Sequence, residues 1–416
     1  MILDVVKVAT GPCRVDSGYS WFRLAISMML GTIGGVGMWA VVVVLPAVQA
    51  EFGVDRADAS LPYTLTMAGF ALGNALVGRL VDRYGIMPPI LGSALALGAG
   101  FILAAMSPQL WLFALAQGAL IGIGTAATFG PLIADLSHWF RRRRGVAVAA
   151  AATGNYLAGA IWPPIIQPIM AADGWRTTYM VIGIVILVAM VPLSLLLRRR
   201  FVEEVIPGTE RGHSGGPLKP IDLSPRALQI LLVVAGLGCC VAMSMPQVHI
   251  VAYCADLGYG VARGAEMLAL MLGAGVISRL ASGFLADCIG GVKTLLIGSV
   301  LQGLALALYI PFNGLASLYV VSLVFGLSQG GIVPCYALIV REYLPAREAG
   351  QRVGTVIMAT VVGMAFGGWM SGWIYDLTGS YLAAFLNGIA WNLLNVSVML
   401  YVLFRSHSAA TRLRPA

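Results

Sequence analysis

The segment GAGVISRLASGFLAD at 273–287 is small and apolar except for Arg279 and, two turns later, Asp287. Insertion scales put a charged residue at the centre of a spanning helix at about 2.5 to 3.5 kcal/mol, and such residues face a bundle interior or a water-filled cavity. The arginine side chain stays charged, and its planar fork matches a carboxylate through two parallel hydrogen bonds. Gly275 and Gly283 lie one turn to either side on the same helical face, so that face is thin enough for a ligand or a second helix. Two readings stand for Arg279: an anchor for a substrate carboxylate, or a structural arginine held by backbone carbonyls.

Other polar residues lie in apolar surroundings. His249, in MPQVHIVAYCADLG, titrates near physiological pH and is a candidate proton carrier, or else a hydrogen-bonded structural histidine. Tyr336 lies in GLSQGGIVPCYALIV, a stretch broken by glycines and Pro334 as a gating helix would be. Its hydroxyl is suited to donate to a carboxylate oxygen or to satisfy one bond within a packed core. Asn155 and Asn74 are candidates for lining the same cavity, with packing as the alternative. Asn387, Trp391 and Asn395 form an i, i+4, i+8 stripe that reads as helix packing.

The elements that must position these residues follow from composition. The chain has 416 residues, 59% hydrophobic and 11% charged, with a mean hydropathy of +0.87, outside the range of soluble domains. Apolar runs long enough to span about 30 Å of hydrocarbon recur at 21–45, 59–81, 88–107, 109–136, 145–170 and 176–197, then at 227–252, 264–286, 293–312, 315–340, 351–375 and 381–404. The expected fold is an all-α membrane protein with twelve transmembrane helices in two pseudo-symmetric six-helix bundles. The N-terminal bundle takes 1–197, a polar linker 198–226, and the C-terminal bundle 227–416.

The run beginning at Trp21 is too long for a cleaved signal, so the first helix is expected to stay. Most of the 26 Lys and Arg fall in the tails and in loops after even-numbered runs, among them Arg141 to Arg144 and Arg198 to Arg200. Arg56, Arg176 and Arg263 lie on the opposite side. This asymmetry places both termini in the cytoplasm and explains the net charge of +8 without nucleic acid; the basic side touches anionic lipid. The six cysteines are scattered without metal-ligand spacing, so no metal, cofactor or disulfide framework is indicated.

GRLVDRYG at 78–85 and GFLADCIG at 283–290 both read GXLXDXXG and lie 205 residues apart. The same offset pairs Gly31 with Gly236, Gly53 with Gly258, Gly145 with Gly350, Gly174 with Gly379 and Gly183 with Gly388. A six-helix unit has been duplicated, and two parallel halves related by an axis along the membrane normal describe carriers that bind near the midplane. The motif resembles the signature of the major facilitator superfamily. The resemblance implies that Gly78, Asp82, Arg83 and Gly85, with Gly283, Asp287 and Gly290, gate the cytoplasmic face, the glycines by close helix approach and the acids by capping neighbouring helix ends. Ordinary solvated loop acids are the alternative.

DSGYSW at 16–21 resembles the element that opens helix 1 of monocarboxylate transporters, keeping Asp16, Gly18 and Trp21. WFRRRRGVAVAAAATG at 139–154 resembles their second element, although Ser17, Tyr19 and Trp139 depart from the pattern. SRLASGFLAD is similar to the helix 8 segment of oxalate/formate and monocarboxylate porters, where an arginine four residues before the motif glycine holds the carboxylate. Relatives that take a dianion add a cation in helix 11, near Thr360 here, so one cation suits one carboxylate. Proton-linked relatives carry an aspartate where this chain has Gly275 and a lysine near Trp39 or Met38.

These readings lead to a secondary carrier, not an enzyme, that moves a small monocarboxylate such as lactate or pyruvate as a monomer in a bacterial inner membrane. Proton symport would need His249, a loop-proximal acid such as Glu266 or the substrate's own proton. Exchange of one carboxylate for another is the alternative, and a sensor with a carrier fold is a remoter one. No GXSXG, HEXXH or mid-span pair of acids suggests catalysis.

Overall fold

The computed structural model of the chain describes residues 16–140, 144–199, 220–344 and 349–412, and these are helical almost throughout. In chain order the helices are α1 (Gly18–Phe52), α2 (Arg56–Tyr84), α3 (Met87–Ala105), α4 (Leu110–Leu136), α5 (144–173), α6 (175–195), α7 (Pro225–Asp256), α8 (Val261–Ile289), α9 (Gly291–Leu308), α10 (Leu315–Tyr343), α11 (Ala349–Thr378) and α12 (Tyr381–Arg412). Eleven stretches of the described residues are long and apolar enough to cross a membrane, against the twelve runs expected from the sequence. The difference lies at Gly174, which joins α5 to α6 without a loop. Its φ of 79° and ψ of 165° leave the helical region, so Ala150–Leu195 counts as one stretch of 46 residues. At 1.5 Å per residue that is roughly 70 Å, more than twice the thickness of the hydrocarbon.

The duplication is visible in the backbone. α2 and α8 each have 29 residues and begin and end 205 positions apart. Among the described residues Gly260 has no counterpart, and the other six of the seven positive-φ glycines fall in pairs at the same offset: Gly53 with Gly258, Gly85 with Gly290 and Gly174 with Gly379. Each ends a helix in a conformation that a Cβ would strain. Both α4 and α10 lose regular helix just before a proline, at Thr128–Phe129 ahead of Pro131 and at Gly330–Gly331 ahead of Pro334.

The halves meet along two seams related by the repeat, α5 against α8 and α2 against α11. Small residues set both. A Cβ on Gly275 would stand 2.4 Å from the Tyr156 ring, one on Gly159 would meet Leu272, and one on Gly372 would approach the Arg56 carbonyl at 3.0 Å. The face carrying the Gly85 and Gly290 turns is called the motif face below, and the opposite one, at Arg56 and Asp256, the latch face.

Candidate functional site

Arg279 lies on the α5–α8 seam and is 9% exposed. Because α8 runs to Ile289, the arginine is ten residues from the motif-face end, about 15 Å deep at 1.5 Å per residue. Nη1 donates to the Ala152 carbonyl of α5 at 2.8 Å, and Nε donates to the Gly330 carbonyl of α10 at 3.2 Å. The Gly330 carbonyl is available because the residue four positions on is Pro334, which has no N–H to close the helical bond. The guanidinium carbon sits 4.2 Å from the centre of the Tyr156 ring, a cation–π contact across the halves. Nη2 has no hydrogen-bond partner among the described residues, and none of their carboxylates pairs with Arg279. The arginine thus ties three helices, and both N–H bonds of Nη2 are unused among the described residues.

The remaining candidates are spread more widely. Asn155 is half-buried, and both its backbone oxygen and its Oδ1 lie within reach of Trp39 Nε1, at 3.1 and 3.3 Å, so it joins α5 to α1. Asn74 donates to the Phe70 carbonyl and its Oδ1 abuts Gly130, between α2 and α4 of one half. Tyr336 is fully buried and its hydroxyl donates to Asn395 Oδ1 at 3.0 Å, while Asn395 donates to Ser299. That chain binds α10 to α12 and α9. His249 is buried near the latch face, with Nε2 2.8 Å from the Gly368 carbonyl and Nδ1 3.4 Å from the Tyr381 hydroxyl. Thr360 is buried and bonds the Ile357 carbonyl.

At the motif face, a Cβ on Gly78 or Gly283 would meet nothing within 4 Å. Among the described residues no close helix approach is seen at these two glycines, whereas Gly85 and Gly290 supply positive-φ turns. Arg83 lies over the Tyr84 ring and Asp287 is exposed; the Asp82 side chain and residues 141–143 lie outside what is described. From Leu280 on, exposed positions run around α8, with Leu280 at 52% and Phe284 at 74%.

The latch face is joined. Arg56 of α2 pairs with Asp256 of α7 at 3.1 Å, its Nη1 also donates to the Tyr381 hydroxyl, and its guanidinium lies over the Tyr375 ring. The Asp376 carboxylate of α11 accepts the backbone N–H groups of Arg56 and Ala57 at 2.9 and 2.7 Å, capping α2 from the other half. One end of the molecule is tied across the halves, while at the other a Cβ on Gly78 or Gly283 would find open space among the described residues.

The Major Facilitator Superfamily profile matches residues 27–290 and again 267–416. The chain belongs to the major facilitator superfamily. This superfamily member is 25% identical over 392 residues to Monocarboxylate transporter 13 of Bos taurus, covering 92% of the chain and 89% of that protein. It is 27% identical to the MFS-type transporter opdF of Penicillium oxalicum, over 75% of the chain and 72% of the relative. A bacterial homologue of the human lysosomal transporter Spinster, solved inward-facing and unoccupied, superimposes with a TM-score of 0.69 over 96% of this chain and 100% of that one, at 13% identity, which shows the fold. These matches are transporters, in keeping with a chain that is not an enzyme.

Within this superfamily chain the two elements at 16–21 and 139–154 pack on each other. The Asp16 N–H donates to the Trp139 carbonyl at 3.1 Å, the Tyr19 and Trp139 rings lie 5.2 Å apart, and Trp21 meets Phe140 edge-on at 5.2 Å. Arg23, fully buried, forms a two-bond pair with Asp135 and also donates to the Arg199 carbonyl. The motif residues thus fasten the ends of α1, α4 and α6. Sequence reasoning missed Tyr156, Asp256, Asp376 and the buried Gln247–Gln329 amide pair. Only Tyr156 carried a local signal, as the neighbour of Asn155 a hundred degrees around the helix.

Proposed function

We propose that the chain is a secondary transporter that moves a small monocarboxylate by alternating access, coupled to protons. In this reading the 46-residue stretch counts as two spans joined at Gly174, giving twelve spans in two bundles, with the motif face and both termini cytoplasmic. The conformation is the inward-facing one, latched outside and parted inside. The observation that carries the proposal is Arg279, a cation on the seam between the halves that, among the described residues, is met by two carbonyls and a tyrosine ring and by no carboxylate. A carboxylate arriving from the motif face bonds Nη2 and competes with the Ala152 carbonyl for Nη1. Substrate capture thereby exchanges an inter-half tie for a ligand bond, which couples binding to movement. The similarity to a monocarboxylate transporter over 92% of the chain supports the substrate class.

The test is uptake of radiolabelled lactate and pyruvate into proteoliposomes with and without a pH gradient. Arg279→Ala removes charge-assisted bonds worth about 1.5–3 kcal/mol each, so uptake should fall roughly ten- to hundredfold. Arg279→Lys should recover little, since an ammonium cannot present two parallel donors. Uptake by the alanine variant at the wild-type rate would remove Arg279 from the site.

A further inference from the structure

The latch face holds a directed run of hydrogen bonds ending on a buried histidine. The Gly368 carbonyl only accepts, so His249 Nε2 carries the hydrogen and Nδ1 of the neutral ring is an acceptor. The Tyr381 hydroxyl, 3.4 Å from Nδ1, must then donate to it. The same hydroxyl oxygen accepts from Arg56 Nη1. Every hydrogen points one way, from Arg56 in the first half through Tyr381 and His249 to Gly368 in the second.

We propose that His249 is a proton-binding site whose occupancy unfastens the two halves on the latch face. It rests on the alternating-access reading above and names what drives it. A proton taken from water at the latch face, where the Asp256 side chain is 32% exposed, and held on Nδ1 turns that acceptor into a donor. The Tyr381 oxygen then meets two donors while its own hydrogen loses its acceptor. A second cation also stands one hydroxyl away from Arg56, in a place where water is excluded and like charges repel strongly. His249 is fully buried, Tyr381 is 4% exposed and Arg56 7%.

The strain is relieved when Arg56 withdraws with α2, breaking its pair with Asp256 and the cap from Asp376 together. The tie already holds one unmet group, since Arg56 Nε is buried without a partner, which lowers the cost of opening. The groups facing the imidazole are Asp256 and Tyr253 on α7, Asp376 and Tyr375 on α11, Tyr381 on α12 and Arg56 on α2. Charges on neighbouring helices are engaged elsewhere: Arg263 and Glu266 of α8 with each other and, for Glu266, Tyr319, and Glu51 of α1 with Arg176 and Trp175.

The experiment measures the distance across the latch face without substrate, by spin labels at Gln109→Cys and Asn313→Cys in full-length protein whose Cys13 and Cys288 are replaced by serine. In the parent protein the open population should grow as pH falls from 8 to 5, by at most about tenfold per pH unit, the limit for one proton. His249→Gln should abolish that response. Tyr381→Phe, which keeps the histidine but removes the shared oxygen, should weaken it, and Asp256→Asn should populate the open form at every pH. A parent protein indifferent to pH, or a glutamine variant that still responds, overturns the proposal. If Asp256→Asn opens the face while pH does not, the proton site falls and the two-state carrier stands; if neither moves it, both fall.

Discussion

At the scale of the residue, Arg279 is held in a way that a lysine could not copy. Its nitrogens are used separately: Nε bonds Gly330 and Nη1 bonds Ala152, and in the proposed function Nη2 takes the substrate. Tyr156 stands beneath this arrangement with the guanidinium carbon 4.2 Å from its ring centre, and in the proposed function the ring, rather than the hydroxyl, is the source of the attraction. Tyr156→Phe should therefore transport lactate within about twofold of the parent, whereas Tyr156→Leu, losing a contact worth about 0.5–2 kcal/mol, should raise the apparent KM roughly three- to thirtyfold. Concentration series of initial uptake rates would check both, and equal losses in the two variants would show that the hydroxyl, not the ring, matters. The sequence made the arginine conspicuous because a guanidinium among small apolar residues needs a reason. It did not reveal the tyrosine, since polarity drew attention to Asn155 and one step along a helix turns the side chain by 100°. Tyr336 shows the same limit: its buried hydroxyl could be read from the sequence, but its bond to Asn395 could not.

The elements are fixed by local devices that the sequence displays with varying clarity. Positive-φ glycines at the ends of α2 and α8 and the proline after each break in α4 and α10 are visible because each depends on one residue type. The fastening of α1 to α4 and α6 is another matter: Arg23 and Asp135 are 112 positions apart, and nothing near either predicts the other. Removing one partner of a buried pair strands the other charge at about 3–5 kcal/mol, while replacing both by apolar residues of similar volume is often neutral or stabilising. Arg23→Ala and Asp135→Ala should each lower the thermal midpoint in detergent by several degrees. The double replacement Arg23→Met with Asp135→Leu should recover most of the loss. A double variant as unstable as the singles would mean that the bond from Arg23 to the Arg199 carbonyl, and not the ion pair, secures the end of α6.

For the whole molecule, the duplication is the feature that sequence carried best, because an offset of 205 repeats in glycines that turns and close contacts require. What it could not carry is the relation between the halves. Arg56 meets Asp376 across 320 positions and Asp256 across 200, and such a tie belongs to one conformation of the molecule, so no residue pattern has to display it. The same state leaves Gly283 with open space where a close helix approach was expected. These two observations describe opposite ends of one rigid-body exchange: if the halves rock, releasing the latch must close the motif face. A cysteine at position 283, in protein lacking Cys13 and the exposed Cys288, should react readily with a hydrophilic maleimide. Adding Asp256→Asn removes the latch charge and moves population toward the other state, so the reaction should slow by roughly threefold or more, in proportion to the fall in the open fraction. Unchanged labelling after the latch is cut would mean that the two faces open independently, and a carrier built that way would leak.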